Sequence, residues 1–227
     1  MTVIAIDGPS GSGKSSVSKE VARQLGFAYL DTGAMYRAAA IWVQQLGIDL
    51  TDANEVAKAV VKMPLEVGLD PTNEKIMLAN QDITKAIRSD EISTIVSKVA
   101  TNLAVRANMK QRQQAIIAAA PKGIVAEGRD ITTVIAPNAD AKLLLTASPE
   151  ARLKRRALEN QGTADAAAIK ATTDQVLRRD ADDATVSQFL TAAPGVTTVD
   201  SSNLNWSETV QAVLAVIAAE TGVRPHV

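Results

Sequence analysis

Thr2-Val-Ile-Ala-Ile-Asp-Gly8-Pro-Ser-Gly-Ser-Gly-Lys-Ser15 joins a strand-length apolar run to a glycine-rich turn, and a helical stripe of Val17, Val21 and Leu25 follows. The pattern Gly8-x-x-x-x-Gly13-Lys14-Ser15 needs this strand-to-helix context to hold a phosphate. In such a turn, successive backbone N–H groups form a concave anion nest, and the helix N-terminus adds partial positive charge. Lys14 is then expected at the β and γ phosphates of a nucleoside triphosphate, with the Ser15 hydroxyl as a Mg2+ ligand.

Working outward, apolar runs rich in valine, isoleucine and leucine recur at 3–6, 28–30, 123–126, 142–146 and 196–199. Longer stretches with helical periodicity separate them: Ile92, Val96, Val99 and Leu103 form one stripe, and Val210, Val213, Leu214 and Ile217 another. Strands alternating with helices predict an α/β fold with a five-stranded parallel sheet covered on both faces, and the stripes are expected core.

Composition narrows the chemistry. A chain of 227 residues with 46% hydrophobic side chains can bury one sizeable core and carry a small inserted unit. A formal net charge of −1 lacks the basic excess of a nucleic-acid reader, so an anionic ligand must meet local arginines. With no cysteine, thiolate catalysis and disulfides are excluded, and a reducing, cytoplasmic setting is the expectation. The only histidine is His226 beside the C-terminus, which argues against histidine acid/base work and His-rich metal sites. Phosphoryl transfer is the reaction class that asks least of a dedicated base. The N-terminus carries no basic leader and no long apolar span, so neither a signal peptide nor a membrane partner is expected. No exposed apolar repeat demands a second copy, and a monomer is predicted.

Two segments break the rhythm. Residues 64–84 place turn residues at Asp70-Pro71, Thr72-Asn73 and Asn80-Gln81 between short apolar pieces, which reads as a small antiparallel β insert, either a decorated loop or a cover for substrate. Between 150 and 186, Arg152, Arg155 and Arg156 open one helix and Arg178 and Arg179 close the next, around the small-residue stretch 162–168. Such arginines are either solvated surface groups of little energetic weight or the face of a lid.

Two further strand ends carry charge. Leu30-Asp-Thr-Gly-Ala-Met-Tyr-Arg37 sits where the second strand meets its helix, on the edge where open α/β sheets bind ligands. Asp31 or Thr32 can serve there as the helix N-cap, and Arg37 can grip a second anion bidentately. Glu127-Gly-Arg-Asp130 follows the third strand, as a surface turn with an internal Arg–Asp pair or as part of the same site.

These pieces, with Tyr29 before Leu30, with Ile87-Arg88 and with Val96-Ser-Lys-Val-Ala100, occur in an order that resembles the bacterial cytidylate kinases from about Val3 to Asp200. The resemblance implies a P-loop nucleoside monophosphate kinase that moves the γ-phosphoryl group of ATP to CMP or dCMP. It implies a core of residues 1–62, 89–150 and 187–227, a monophosphate-binding insert at about 63–88 and an arginine-rich helical lid at about 151–186. ATP would be held by Gly8, Pro9, Ser10, Gly11, Ser12, Gly13, Lys14, Ser15, Ser16 and Arg152. Ser97, Arg106 and Asp130 match the positions that read cytosine, Arg37 and Arg129 those that hold the monophosphate, and Asp31, Thr32 and Tyr36 positions beside it. Arg179 and Asp183 match sugar contacts, and Arg152, Arg155 and Arg156 the lid. Lys14, Arg37, Arg129, Arg155 and Arg156 are the implied catalytic set.

The chain departs from the family pattern in two places. Thr132 stands where Gly-Arg-Asp-Ile-Gly-Thr has its second glycine. After Asp183, Ala184 and Val186 stand where a serine and a monophosphate-binding arginine are expected, so a clamp is missing unless another arginine such as Arg178 supplies it. A shikimate or dephospho-coenzyme A kinase is the same-class alternative, disfavoured by Ser97, Arg106 and Asp130. A GTPase is disfavoured by the lack of an Asn-Lys-x-Asp segment. A weakened nucleotide-binding protein is the reading that Val186 and Thr132 would motivate.

Overall fold

A computed structural model describes residues 1–225, apart from the side chains of residues 159–161, 171, 174 and 175; His226 therefore lies outside the described residues. The strands β1 (Thr2–Asp7), β2 (Ala28–Asp31), β6 (Gly123–Gly128), β7 (Ala141–Thr146) and β8 (Thr197–Asp200) form one parallel sheet in the order β2-β6-β1-β7-β8. All four pairings are parallel, as the near-continuous apolar runs predict for strands covered on both faces.

Because side chains alternate across a strand, β1 feeds two cores. Ile4 and Ile6 point to the face covered by α1 (Lys14–Leu25) and α8 (Trp206–Thr221), where they join Val17, Val21, Leu145, Val213 and Ile217. Ala5 points to the other face, joining Leu30, Met35, Val60, Met109 and Ile124 beneath α2 (Thr32–Gln45), α3 (Ala53–Val61), α4 (Asp90–Ala100) and α5 (Leu103–Ala118). Each fully buried aliphatic side chain contributes about 1.5–3 kcal/mol, so both faces are needed to hold the sheet.

One expected core residue is not in the core. The stripe Ile92, Val96, Val99 holds, but Leu103 is 73% exposed. The helix ends at Ala100, and the Asn102 side chain caps a new one by accepting from the N–H groups of Ala104 and Val105, which resets the helical phase.

The segment at 64–84 folds as a three-stranded antiparallel sheet of β3 (Leu65–Val67), β4 (Ile76–Leu78) and β5 (Gln81–Asp82). Its hairpin turn falls on Ala79 (φ 47) and Asn80 (φ 63) instead of Asn80-Gln81, because a two-residue turn between right-twisted strands wants positive φ at both central positions. The Tyr29 N–H donates to Leu69 O at 2.9 Å, and Ile76, Leu78 and Ile83 reach into the α2 to α5 core, so the insert is fixed to the edge of β2. Residues 149–184 form a helical hairpin of α6 (Pro149–Gln161) and α7 (Ala166–Ala184), with Gly162 ending the first helix in the left-handed conformation.

Register sets up the site. Asp7 pairs with Gly128, and Asp31 with Glu127, so β1, β2 and β6 end at one rim. Gly8 leaves that rim so close to β7 that a Cβ there would lie 2.2 Å from Leu145 O, a backbone atom that cannot give way. Gly8→Ala is expected to cost about 1–3 kcal/mol through overpacking, read as a lower melting temperature in thermal denaturation.

Candidate active site

Gly13 occupies the left-handed region (φ 86) as the N-cap of α1, which aims the first helical turn into a cleft of about 1030 Å3. Residues 10–16 line one wall, and Asp31, Thr32, Tyr36, Arg37, Arg106, Arg129, Asp130, Arg155, Arg156, Arg179 and Asp183 also face the space. The sequence-derived set is thus largely brought together. Gly8, Pro9, Ser97 and Arg152 are not among the described lining residues, although Val96 and Ala100 beside Ser97 are.

At the rim, Glu127 is 1% exposed. It accepts from the Ser15 hydroxyl at 2.6 Å and faces Lys14 Nζ at 3.9 Å, while the Thr32 hydroxyl donates to its backbone carbonyl at 2.8 Å. Burial pulls the Lys14 ammonium below its usual range, with Glu127 pulling the other way. Burial, followed by the carboxylate of Asp31, pushes Glu127 up to about 7, against the opposing effect of Lys14. Asp31 is the N-cap of α2, accepting from the Ala34 N–H at 2.9 Å, and its other oxygen takes Arg88 at 2.6 Å. Burial would raise Asp31, but Arg88 and the Ala34 N–H outweigh it and hold the carboxyl low.

Deeper in the cleft, cations crowd. Arg37 is 4% exposed and donates to Ile87 O at 3.0 Å and Ser93 Oγ at 2.9 Å; burial, then Arg88, pulls it down to about 10. Arg129 Nη1 lies 3.0 Å from both Asp180 Oδ1 and Asp183 Oδ2 without hydrogen-bond alignment to either, and its guanidinium stacks 4.4 Å from the Phe189 ring centroid. Arg179 comes up from α7 with Nε buried, 3.8 Å from Asp183 Oδ2 and lacking a hydrogen-bond partner. Burial first, then Arg37 and Arg129, depress it well below its usual range. At the far side Arg106 pairs with Asp130 and lies 5.9 Å from the Tyr36 ring centroid.

Two of the arginines expected in a lid are struts. Arg152 pairs with Asp180 and donates to Ser10 O at 2.9 Å, while Asp180 accepts from the Ser10 N–H at 3.1 Å. Arg155 donates to Ser201 O at 2.5 Å, Leu204 O at 3.2 Å and Ser12 O at 3.4 Å, tying the phosphate loop to the loop before α8. Asp180, Phe189 and Arg88 were not singled out as site residues from the sequence. Asp180 is adjacent to Arg179 and Arg88 ends the quoted Ile87-Arg88, but Phe189 carried no pattern that set it apart from core.

Because the native state holds the Glu127 proton more firmly than the unfolded chain, this group favours folding at low pH. Its contribution is lost as pH rises from the unfolded value of 4.5 through about 7. Across about pH 5 to 8 the wild type should therefore lose more melting temperature than Glu127→Gln, measured by differential scanning fluorimetry in matched buffers.

Comparison with known proteins places this geometry. The cytidylate kinase family model matches residues 4–219. The chain is 45% identical over 217 residues to the cytidylate kinase of Cutibacterium acnes, covering 95% of each chain. It is 46% identical over 222 residues to that of Nocardia farcinica, covering 96% of this chain and 94% of the relative. Among solved structures it is similar to a gluconokinase from Sinorhizobium meliloti, with a TM-score of 0.49 at 16% identity over 96% of this chain and 92% of that one. With a family model over nearly its whole length and relatives at this identity, the chain belongs to the cytidylate kinase family.

Proposed function

We propose that the protein transfers the γ-phosphoryl group of ATP to CMP or dCMP, giving ADP and CDP or dCDP. The observation that carries this reading is the cation cluster: Arg37, Arg129 and Arg179 converge on the cleft opposite the phosphate loop, and the buried Nε of Arg179 has no hydrogen-bond partner. Desolvated cations are costly unless anions meet them; Asp180 and Asp183 offset only part of the charge, and a monophosphate would supply the rest. Lys14 and the Gly11 to Ser15 backbone would hold the donor phosphates, while Arg37, Arg129 and Arg179 neutralise the acceptor phosphate. Arg156, which also lines the cleft, would add charge at the transferred group.

The acceptor base would lie at Asp130 and Arg106. A carboxylate that accepts from an exocyclic amine distinguishes cytosine from uracil, and Arg106 holds Asp130 in place. Ser97, buried on α4, would act behind the cleft wall.

The donor set also fits a hard divalent cation such as Mg2+. The Ser15 hydroxyl and Glu127 carboxylate are adjacent oxygens, and among the described residues no group of three or more His, Cys, Asp or Glu side chains could hold a metal unaided. This suits an ion held by one or two protein oxygens and substrate phosphates. When bound, it would neutralise phosphate charge. Among the described residues no helix is long and apolar enough to cross a membrane; the reading extends to a monomeric cytoplasmic enzyme.

Arg179 bears on the missing clamp at Val186. Val186 is half-buried two residues past the end of α7. Arg178, the expected substitute, is exposed and is not among the described residues that line the cleft, so the cation expected at 186 would have to come from Arg179, which lines it. Three outcomes test the reading. In a coupled ADP-release assay, CMP and dCMP should be turned over and AMP and UMP poorly; equal use of all four would overturn it. Arg129→Ala should lower kcat/KM for CMP by roughly 10²–10³-fold with an unchanged circular dichroism spectrum. Val186→Arg should leave the KM for CMP unchanged, whereas a clear drop would mean that the clamp is missing.

A further inference from the structure

Asp7 and Thr132, neither of them among the described residues that line the cleft, meet in a buried contact. Asp7 ends β1 and is 1% exposed; Thr132 is 5% exposed, in the turn that follows Arg129 and Asp130. Asp7 Oδ1 accepts from the Ile131 N–H at 2.8 Å, and Oδ2 accepts from both the Thr132 N–H at 2.9 Å and the Thr132 hydroxyl at 2.6 Å. The residue after Asp7 is Gly8, whose N–H donates to Gly128 O at 3.3 Å. One buried carboxylate therefore fastens the root of the phosphate loop to the segment that carries Arg129 and Asp130.

The turn itself is wide. Ile135 N–H and Ala136 N–H donate five residues back, to Asp130 O at 3.1 Å and Ile131 O at 2.8 Å. Such π-type turns are uncommon, and a side chain that pins one fixes where its first residues point. Glycine at 132 would keep the N–H and lose the hydroxyl. A hydroxyl donating to a buried carboxylate is among the stronger hydrogen bonds, and removing it leaves Asp7 with only the two backbone N–H groups at 131 and 132.

We propose that Thr132 is a positioning residue: its hydroxyl, held on Asp7, locks the 130–135 turn to the base of the phosphate loop and so sets the aim of Arg129 and Asp130 at the acceptor nucleotide. The inference rests on the reading of Arg129 and Asp130 as acceptor contacts. It accounts for the departure from the family pattern at 132 as an added bond.

Burial pushes Asp7 up to about 6; the Thr132 hydroxyl and the two N–H groups oppose this, and the Asp130 carboxylate adds to it. Its strand neighbours, Gly128 and Leu144, carry no charge. Loss of the hydroxyl raises Asp7 further, so the clamp takes up its proton at higher pH.

The test compares Thr132→Val, Thr132→Gly and Thr132→Ser with the wild type. The Val and Gly variants should lose about tenfold in kcat/KM for CMP, keep the KM for ATP, and show the acid limb of the CMP profile moved to higher pH; Ser should restore all three. In the ligand-free proteins, the Asp7 carboxyl followed by 13C NMR should titrate at higher pH in the Val and Gly variants. That readout holds even if CMP proves not to be the acceptor. Two results overturn the inference: an Asp7 titration that does not move, or a loss shared equally between CMP and ATP that Ser fails to restore. If Val does not fold, Gly carries the comparison.

Discussion

Arginines brought together away from water repel each other and give up hydration, and the whole site is arranged around that cost. Arg37 is pulled down to about 10 and Arg179 well below its usual range, in both cases by burial first and by neighbouring arginines after it. Asp180 and Asp183 offset part of the charge on Arg129 and Arg179, but they sit on α7, so the neutralisation brings the helical hairpin with it. Asp180 reaches Arg152, Arg129 and the Ser10 N–H, and the same carboxylate thereby joins the hairpin, the phosphate loop and the arginine-lined wall. On the proposed reading, substrate phosphate would complete the balance of charge at this cluster.

The sheet makes this crowding possible. Parallel register brings Asp7, Asp31 and Glu127 to one rim, and each carboxylate there holds something different. Glu127 faces Lys14 and Ser15 on the donor side, Asp31 caps α2 and holds Arg88, and Asp7 clasps the turn behind Arg129. Arg88 also meets Glu74 of the insert at 3.0 Å, and Glu74 pairs with Lys19 of α1. Charge therefore links the insert to the helix that begins at the phosphate loop. Partly exposed pairs of this kind contribute modest stability, and they also orient the insert.

Much of this was legible in the sequence because it rests on local pattern. Glycine spacing between a strand and a helix fixes the phosphate loop, and apolar runs without alternation fix a sheet buried on both faces. Leu103 was misread because periodicity cannot see that Asn102 caps a fresh helix and turns the next side chain outward. Asp180 and Phe189 are hard to read for a related reason: their partners lie far along the chain, at Ser10 and Arg129, and only Asp180, beside Arg179, has a neighbour that points to the site. The same holds for Thr132, which the sequence marked as a departure but whose partner, Asp7, lies 125 positions away.

On the proposed reading, the basic wall receives a nucleoside monophosphate. Ligand-induced stabilisation tests it most directly, since a ligand that binds only the folded state at 100 times its Kd adds about 2.7 kcal/mol to stability. Melting temperatures should rise with CMP concentration and stay unchanged with cytidine, which offers the same base without the phosphate. An equal rise with both, or none with CMP, would contradict the account.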